Sequence, residues 1–237
     1  MLLKNKWGIV TGSNRGIGFN ILKNLSDQGA NIFACIRNID DNFLKRKSEL
    51  ELKNKNKIIP VEFDLSKKDV LLSAISQIND EGKKLNFLIN NSAIIHNKLF
   101  QLTKMEEFYK VFEINFFNQL FFTQSLMRNF IKNKDGSIVF LSSSAAEDGN
   151  IGRSAYASSK AALTSFAKVI SRELGPYNVR VNVISPGLTN TDMMKNSTDQ
   201  KYLENIIKEI PLRRIGETND IANLALFLVS DLSKYLT

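Results

Sequence analysis

Short β-branched runs alternate along this chain with longer segments of helical periodicity. The alternation predicts six strands, with a helix between each strand and the next. Strands connected in this way need right-handed crossovers, which produce a doubly wound parallel sheet with helices on both faces. We therefore predict an α/β fold. The predicted strands are 7–11, 31–36, 58–63, 85–89, 137–141 and 179–184, and the predicted helices are 17–28, 42–53, 70–79, 105–132 and 155–174.

The pattern needs only one domain. The chain has 237 residues, and a chain of this length buries roughly 70–75% of its unfolded surface, enough for one large core or two small ones. No proline- or serine-rich linker interrupts the alternation, and no internal repeat is visible. We therefore predict a single domain over residues 1–237.

Cysteine and histidine usage excludes several classes of site. The chain has one cysteine, Cys35, and one histidine, His96. An internal disulfide and a Cys/His zinc cluster are therefore excluded, and a Ser-His-Asp triad would have to use His96. We predict no metal site, a core position for Cys35, and a surface or rim position for His96. The cysteine usage fits a reducing cytoplasm.

The formal net charge of +8 has two interpretations. The lysines are spread along the chain, and the densest stretch, residues 45–57, also carries Glu49 and Glu51. This distribution is typical of a solvated surface, with a basic docking face as the alternative, and no nucleic-acid partner is predicted. No apolar run approaches the roughly 18 residues of a membrane span, and the first residues lead directly into a strand. We therefore expect a soluble, cytoplasmic protein with no membrane partner.

A glycine-rich turn, residues 11–18, connects the first predicted strand to the first predicted helix. A dinucleotide pyrophosphate needs a sharp turn, a close backbone and a helix N-terminus aimed at it. Gly12 can make the sharp turn, and Gly16 allows the backbone to approach the pyrophosphate closely. Gly18 allows the helix to pack on the strand. The spacing is G-x-x-x-G-x-G, not G-x-G-x-x-G, so a plain glycine-rich turn stays an alternative. The predicted cofactor contacts in this turn are Gly12, Asn14, Arg15, Gly16, Ile17 and Gly18.

The end of the second strand indicates which dinucleotide is bound. An acidic side chain there would accept hydrogen bonds from the ribose of NAD, but Ile36 occupies about that position. Arg37 and Arg15 suit a 2′-phosphate, although Arg37 in an alternative interpretation only caps the strand. Asp64, followed by Leu65, suits either the adenine or the cap of the next helix. NADP(H) is predicted, with NAD(H) less favoured.

Tyr156 and Lys160 lie four residues apart at the start of a predicted helix, so both side chains share one face. A phenol with a pKa of about 10 is a poor proton donor or acceptor at neutral pH. A neighbouring cation favours the phenolate, so we expect Lys160 to lower the pKa of Tyr156. This spacing alone is weak evidence, because it occurs often by chance.

Other residues of the chain give the Tyr-Lys pair its meaning. Ser143 lies 13 residues before Tyr156, at the end of the fifth predicted strand. With these residues the chain resembles the short-chain dehydrogenase/reductase family, which has a Rossmann-like fold. The resemblance extends from Trp7 to the last residue. Its motifs are the turn 11–18, Asn90-Asn91-Ser92-Ala93, Asn115, Ser143, Tyr156, Lys160 and Pro186-Gly187.

The resemblance implies a role for each matched residue. Tyr156 would give a proton to the substrate carbonyl oxygen as hydride arrives, and Ser143 would polarise that oxygen. Lys160 would hold the nicotinamide ribose and lower the tyrosine pKa. Asn115 would kink the long helix and hold a water linking Lys160 to solvent. The remaining implied cofactor contacts are Asn90, Asn91, Pro186, Gly187, Thr189 and Thr191.

Three features depart from the family pattern. Ser92-Ala93 stands where the family usually has Ala-Gly, so the backbone near the cofactor could be crowded, though a small alanine also fits. The sequence stops at Thr237, where relatives continue with a last strand; a truncated chain and a frayed sheet edge with weaker assembly are both open. Residues 190–214 are predicted to be a mobile substrate lid. They contain no motif that identifies a particular substrate.

The substrate has several candidates. Residues 210–217 and 221–231 are similar to segments of the 3-oxoacyl-acyl-carrier-protein reductases. The same sequence segments also occur in sugar, polyol and steroid reductases. Those carrier reductases dock an acidic partner on basic residues; Lys134 matches one such position, and Tyr177 stands at the other. A carrier-borne acyl group is one candidate, and a sugar, nucleotide-sugar or other small carbonyl is the alternative. A non-catalytic NADP sensor is a further alternative, disfavoured because Ser143, Tyr156 and Lys160 are all intact.

The resemblance also implies a homotetramer. The predicted helices 105–132 and 155–174 would form the dimer faces. Small side chains on the second helix would allow another helix to approach closely. They are Ser158, Ala161, Ala162 and Ser165.

Overall fold

The computed structural model describes residues 1–197 and 200–237. The described residues form one parallel sheet of six strands in the order β3-β2-β1-β4-β5-β6. The prediction of a doubly wound α/β fold is confirmed. The strands are Trp7–Thr11 (β1), Asn31–Ile36 (β2), Ile58–Glu62 (β3), Leu85–Asn90 (β4), Gly136–Leu141 (β5) and Val179–Ile184 (β6).

The helices connect the strands and cover both faces of the sheet. All five predicted connecting helices are present, with ends within about two residues of the predictions. The helices are Gly16–Asp27 (α1), Asp41–Asn54 (α2), Lys68–Asp80 (α3), Met105–Phe112 (α4), Asn118–Asn133 (α5), Ala145–Asp148 (α6), Ser154–Leu174 (α7), Asp192–Ser197 (α8), Gln200–Glu209 (α9) and Thr218–Val229 (α10).

Each strand sends alternate side chains to opposite faces, which creates two apolar cores. Ile9 and Phe33 pack on one face with side chains from α3, α5 and α7. Val10 and Ile32 pack on the other face with side chains from α1, α2 and α10. Burial on both faces explains why the strands read as nearly continuous apolar runs.

The strand order reverses between β1 and β4. From β1 the chain builds outward through β2 and β3, then returns to pair β4 with the other side of β1. The connections after these two strands therefore diverge at their carboxyl ends. A crevice at such a switch point is where open α/β sheets bind ligands.

The predicted long helix over residues 105–132 is interrupted. A five-residue π-helical segment, Glu113–Phe117, joins α4 to α5, and Asn115 lies in it. The irregularity is where the family resemblance implied a kink. Segments of this kind occur frequently at functional sites.

Three helices, α8 to α10, follow β6 and lie beyond the predicted elements. β6 is at the edge of the sheet, and the residues after α10 lie against it. The Val181 N–H donates to Thr237 Oγ1 at 3.0 Å, and Asn182 Nδ2 donates to the Leu236 carbonyl at 3.1 Å. In the part of the chain that the structure describes, no helix is long and apolar enough to span a bilayer.

Candidate active site

A cleft of about 1630 Å³ opens along the sheet edge where the strands end. It is larger than a typical small-ligand pocket of roughly 300–1000 Å³, so it has room for a dinucleotide and a substrate together. The structure brings the predicted site residues to this cleft, except Asn90 and Asn115, which are both buried behind it. The predicted residues that line it are Gly12, Asn14, Arg15, Gly16, Ile17, Gly18, Arg37, Asp64, Leu65, Asn91, Ser143, Tyr156, Lys160, Pro186, Gly187, Thr189 and Thr191.

The glycine-rich turn has the geometry of an anion cradle. Gly12 and Gly16 adopt φ values of +66° and +55°, which side chains rarely tolerate. A Cβ on Gly18 would overlap the Gly12 carbonyl oxygen, so α1 can pack here only with glycine. The first turn of α1 carries no acidic residue, so its N-terminus favours an anion. These residues fit a dinucleotide pyrophosphate.

Hydrogen bonds from the neighbouring strand hold this turn in place. Thr11 Oγ1 accepts from the backbone N–H of Asn91 at 2.9 Å and of Ser92 at 3.0 Å. Asn91 Nδ2 in turn donates to the Thr11 carbonyl at 2.9 Å. Gln119 Nε2 donates to the Ser92 carbonyl at 2.8 Å and so ties the loop to α5. The supporting roles of Thr11 and Gln119 were not predicted, because the partners are distant in sequence.

Asn90 does not line the cleft, which corrects the role that the resemblance implied. Its side chain is buried, and Nδ2 donates to Thr123 Oγ1 on α5 at 3.0 Å. Asn90 ends β4, whose alternating side chains send it toward α5. Asn91, the next residue, lines the cleft instead.

Arg46 on α2 is a supporting residue that sequence reasoning missed. Its Nη2 donates to the Asn14 carbonyl at 2.8 Å and to Asn14 Oδ1 at 3.2 Å. Its guanidinium also lies 4.1 Å from the centre of the Phe19 ring. Arg46 therefore joins α2 to the glycine-rich turn. It is one of several charged residues on α2, and nothing in the sequence distinguishes it.

The carboxyl end of β2 carries no acidic side chain at the cleft. Ile36 is the last residue of the strand and is buried, and Arg37 follows it, exposed. Arg15 is also exposed, with Nη1 3.8 Å from Asp192 Oδ2 on α8. The two arginines make this end of the cleft electropositive.

Asp64 does not cap α3, whose N-cap residue is Lys67. Its Oδ1 accepts from the Ser66 N–H at 2.9 Å and from Ser66 Oγ at 2.6 Å, which forms a turn just after β3. Burial raises the Asp64 pKa, but the Ser66 hydrogen bonds and the charge of Arg37 outweigh it and leave the pKa below its ordinary value. Asp64 therefore presents an ionised carboxylate to the cleft.

Tyr156 and Ser143 meet at the centre of the cleft. The Ser143 hydroxyl accepts from the Ala145 N–H at 3.2 Å, and Ser143 and Tyr156 both line the cleft. Burial raises the Tyr156 pKa above its ordinary value, while the Ser143 hydrogen bond and the charge of Arg153 oppose that shift. The phenol therefore carries its proton at neutral pH. This differs from the expected lowering of the Tyr156 pKa by Lys160, because burial is the largest influence on the phenol and the charge that opposes it is that of Arg153.

Lys160 is buried beside Tyr156 and points to β5. Its Nζ donates to the Leu141 carbonyl at 2.6 Å and lies 5.9 Å from the centre of the Tyr156 ring. Burial lowers the Lys160 pKa to about 7. The side chain can therefore gain or lose a proton near neutral pH at the wall of the cleft.

Asn115 acts on the loop after β4. Its Nδ2 donates to the Ile94 carbonyl at 2.8 Å, and its Oδ1 accepts from the Ile94 N–H at 2.8 Å. Nδ2 also lies 3.3 Å from Ser159 Oγ on α7. Asn115 thus connects the π-helical segment, the cleft loop and the helix of Tyr156.

Ala93 shows why this chain can depart from the usual glycine. Its φ lies outside the left-handed region, so the backbone needs no glycine there. The residue lines the cleft, where its methyl group takes up little space. The alternative in which a small alanine fits is therefore the one the structure supports.

The other end of the cleft is lined by apolar side chains together with several polar ones. The polar residues are Asn97, Lys110, Asp148, Asn150, Arg153, Ser197 and Glu209. Thr191 lies at its edge and accepts the Met194 N–H at 3.1 Å, which caps α8. The predicted lid, residues 190–214, contributes α8 and α9 to this end, although 198–199 lie outside the described residues. Its mobility stays a prediction. The apolar residues of this end are Ile94, Ile95, Ile151, Met193, Met194, Ile206, Ile210 and Pro211.

Neither His96 nor Cys35 lines the cleft in the described structure. Cys35 is fully buried in the core, as predicted, and burial raises the pKa of its thiol. The His96 side chain is only 17% exposed, and its Nε2 is 3.9 Å from Glu107 Oε1. His96 is thus mostly buried rather than on the surface. Its chain neighbours Ile95 and Asn97 form part of the cleft wall.

Comparison with known proteins places these features in a family. A family model described as enoyl-(acyl carrier protein) reductase matches residues 11–237. The 3-oxoacyl-acyl-carrier-protein reductase FabG of Chlamydia muridarum is 36% identical over 237 residues, covering 100% of this chain and 94% of that protein. The 3alpha-hydroxysteroid dehydrogenase of Mediterraneibacter gnavus is 34% identical over 241 residues, covering 100% of this chain and 94% of that protein.

A solved structure has the same fold. It is a 7 alpha-hydroxysteroid dehydrogenase complexed with NADH and 7-oxo glycochenodeoxycholic acid. The TM-score is 0.92 at 30% identity, and the match covers 99% of this chain and 91% of that chain. The 3-oxoacyl reductase and the hydroxysteroid dehydrogenases named here act at a hydroxyl or carbonyl carbon. The chain therefore belongs to the short-chain dehydrogenase/reductase family and is an oxidoreductase that acts on CH–OH or C=O groups.

Proposed function

We propose that this enzyme uses NADPH to reduce the 3-oxo group of an acyl thioester carried on an acyl carrier protein. The observation that carries the proposal is the group of apolar side chains at the substrate end of the cleft, which includes Ile95, Ile151 and Ile210. An acyl chain gains free energy when it leaves water for such a surface. The FabG relatives, named as 3-oxoacyl reductases, support the same substrate class.

The residues of the cleft suit reduction of a ketone. A bound nicotinamide would supply the hydride to the carbonyl carbon. The Tyr156 hydroxyl gives its proton to the carbonyl oxygen, and Ser143 donates a hydrogen bond to the same oxygen while charge develops. The product is the 3-hydroxy thioester. Lys160 holds the ribose hydroxyls, and its pKa of about 7 allows it to help return a proton to the tyrosine.

The preference for NADPH rests on charge at the end of β2. Arg37 and Arg15 can bind a 2′-phosphate through paired N–H donors. Ile36 offers no acceptor for the ribose hydroxyl of NADH. The glycine-rich turn, Asp64 and Asn91 hold the remaining parts of the cofactor in this proposal.

The carrier protein docks, we propose, beside Lys134 and Tyr177. The two residues lie close together, since Asn178 Nδ2, next to Tyr177, donates to the Lys134 carbonyl at 3.0 Å. Lys134 is exposed and basic, as an acidic partner requires. The net charge of +8 favours the same encounter. In this proposal the enzyme acts in the cytoplasm.

Reduction of a steroid ketone is the second candidate. The apolar side chains that suit an acyl chain also suit a steroid, and two of the relatives are hydroxysteroid dehydrogenases. A sugar or nucleotide-sugar substrate is less well supported, because none of the relatives named above is a sugar reductase. A non-catalytic sensor is less well supported too, because Ser143, Tyr156 and Lys160 are all present in the cleft.

The test is a panel of substrates at matched concentrations. NADPH oxidation is followed with an acetoacetyl thioester, a 3-keto bile acid and a keto-sugar, and NADH serves as the cofactor control. The proposal predicts turnover on the thioester with NADPH preferred. Turnover on the bile acid alone would favour the steroid candidate, and turnover on the keto-sugar alone would overturn both.

A carrier-borne substrate needs a separate comparison. For an acetoacetyl group on acyl carrier protein, added salt should raise KM, because docking on Lys134 is electrostatic. For the same group on a small thiol, KM should change little with salt. Equal salt effects on the two substrates would argue against the docking site.

A further inference from the structure

Arg153 brings a positive charge into the substrate end of the cleft. It lies immediately before α7, three residues ahead of Tyr156, and it lines the cleft. Its side chain is half-buried, apolar residues such as Ile151 and Met193 share this end of the cleft, and no carboxylate of the described residues lies within ion-pair distance of it. A partly desolvated cation in this position requires hydrogen-bond acceptors.

The acceptors that Arg153 finds within the described residues use little of its donor capacity. Its Nη2 lies 3.5 Å from the carbonyl and 3.5 Å from Oγ of Ser197, at the limit of a hydrogen bond. The Ser197 carbonyl already accepts from Asn97 Nδ2 at 2.9 Å, a much better bond. A guanidinium has five N–H donors, so donors are left for a ligand in the cleft.

Arg153 also lies on the same side of the cleft as the reacting residues. It precedes Tyr156 by three residues at the start of α7, a spacing that brings two residues to one side of a helix, and Arg153, Tyr156 and Ser143 all line the cleft. Its charge also opposes the upward shift of the tyrosine pKa. A substrate whose ketone oxygen meets the Tyr156 and Ser143 hydroxyls can therefore present a neighbouring acceptor to Arg153.

We infer that Arg153 determines specificity by binding the second carbonyl oxygen of a 1,3-dicarbonyl substrate while Tyr156 and Ser143 bind the first. The inference rests on the proposed function, because a 3-oxoacyl thioester has a second carbonyl oxygen one carbon beyond the ketone. A lone ketone offers Arg153 no acceptor. The enzyme would then bury the guanidinium without compensation, which is how a polar site rejects an analogue that lacks a partner.

The test compares two substrates in Arg153 variants. Arg153→Gln and Arg153→Lys are assayed for kcat/KM with an acetoacetyl thioester and with an unbranched methyl ketone of similar length. Because the lost hydrogen bond involves a charged group, Arg153→Gln should lower kcat/KM on the thioester about 10- to 100-fold. The methyl ketone should lose less than about 3-fold, and Arg153→Lys should fall between wild type and Arg153→Gln because it keeps only the charge.

Two further variants separate this role from others. Arg172→Gln removes an exposed arginine at the far end of α7 and should leave both substrates unchanged. Asn97→Ala breaks the stronger bond to Ser197 and should affect both substrates alike, as any disturbance of α8 would. Equal losses on the two substrates in Arg153→Gln, or no loss on the thioester, would overturn the inference. Thermal melts confirm that each variant is folded.

Failure of the inference is distinguishable from failure of the proposed function. If wild type reduces the methyl ketone or a steroid but no 3-oxoacyl thioester, the proposed function fails and the inference fails with it. If wild type prefers the thioester and Arg153→Gln keeps that preference, only the inference fails.

Discussion

At the scale of single residues, charge at the end of β2 decides the cofactor in this account. Arg37→Ala removes one guanidinium from the proposed 2′-phosphate site. Losing a charge-assisted contact should weaken NADPH binding about 10- to 100-fold and change NADH binding little. Fluorescence titration of the two cofactors measures both constants. Arg128→Ala, an exposed arginine on α5, is the control. A similar loss for NADPH and NADH would show that Arg37 does not bind the phosphate.

Lys160 gives a second prediction, on stability. Its pKa falls from 10.5 to about 7 on folding, so between these pH values the unfolded chain binds more protons. The native state is therefore stabilised as pH rises from about 7 toward 10.5. Lys160→Met lacks this contribution. The difference in Tm between wild type and the variant should therefore shift in favour of wild type as the pH rises from about 7 toward 10.5.

Thermal unfolding at several pH values between 7 and 10 checks this prediction. Lys168→Met, exposed on the same helix, should follow wild type at every pH. Parallel Tm curves for wild type and Lys160→Met would contradict the account.

Predictions at this scale depended on spacing and on the family resemblance together. The four-residue spacing put Tyr156 and Lys160 on one helix face, the resemblance added Ser143, and all three line the cleft, while their catalytic roles stay predictions. The direction of the Tyr156 pKa shift could not be predicted, because it depends on how deeply the cleft buries the phenol. Asn90 was assigned to the cleft because the family motif contains both Asn90 and Asn91. Neighbouring residues of a strand face opposite sides of the sheet, so only one of the two side chains can reach the cleft.

At the scale of elements, Arg46 joins α2 to the glycine-rich turn. Arg46→Ala removes the hydrogen bonds to Asn14 without removing a contact to the cofactor itself. We expect NADPH and NADH binding to weaken together, about 5- to 10-fold, since the turn serves both. This pattern differs from that of Arg37→Ala. Lys45→Ala, exposed on the same helix, is the control, and a loss confined to NADPH would contradict a positioning role.

Most elements could be predicted because each strand is an apolar run between turn residues. β1, β2 and β6 have the predicted ends. The π-helical segment before α5 could be expected only from the family resemblance, because the periodicity of residues 105–132 is continuous. The helices α8 to α10 after β6 were not predicted as elements, although α10 is strongly apolar and buries Ala222, Ala225 and Leu228.

At the scale of the whole molecule, we predict a homotetramer assembled through the outer faces of α4, α5 and α7. Tyr109 and Phe117 are 65% and 58% exposed on these faces, which is costly for an isolated protomer. Ser158, Ala161 and Ser165 form a small-residue stripe on the outer side of α7. Ala161→Glu should break the assembly, because it places a charge in a close helix contact.

Sedimentation velocity at micromolar concentration measures the assembly. Wild type should sediment as a tetramer, and Ala161→Glu as a smaller species with unchanged helix content. Ser73→Glu introduces the same charge at an exposed position on α3, outside these faces, and is a comparison for charge alone. A monomeric wild type would contradict the predicted assembly.

The central claim is that this cleft reduces a 3-oxo group with a proton from Tyr156. The most direct measurement compares wild type with Tyr156→Phe in two assays, NADPH oxidation with an acetoacetyl thioester and NADPH binding by fluorescence. The account predicts that Tyr156→Phe lowers kcat about 100- to 10,000-fold, the range for loss of a general acid, while the Kd for NADPH changes little. Turnover close to that of wild type in Tyr156→Phe would contradict the claim, because another group would then have to supply the proton.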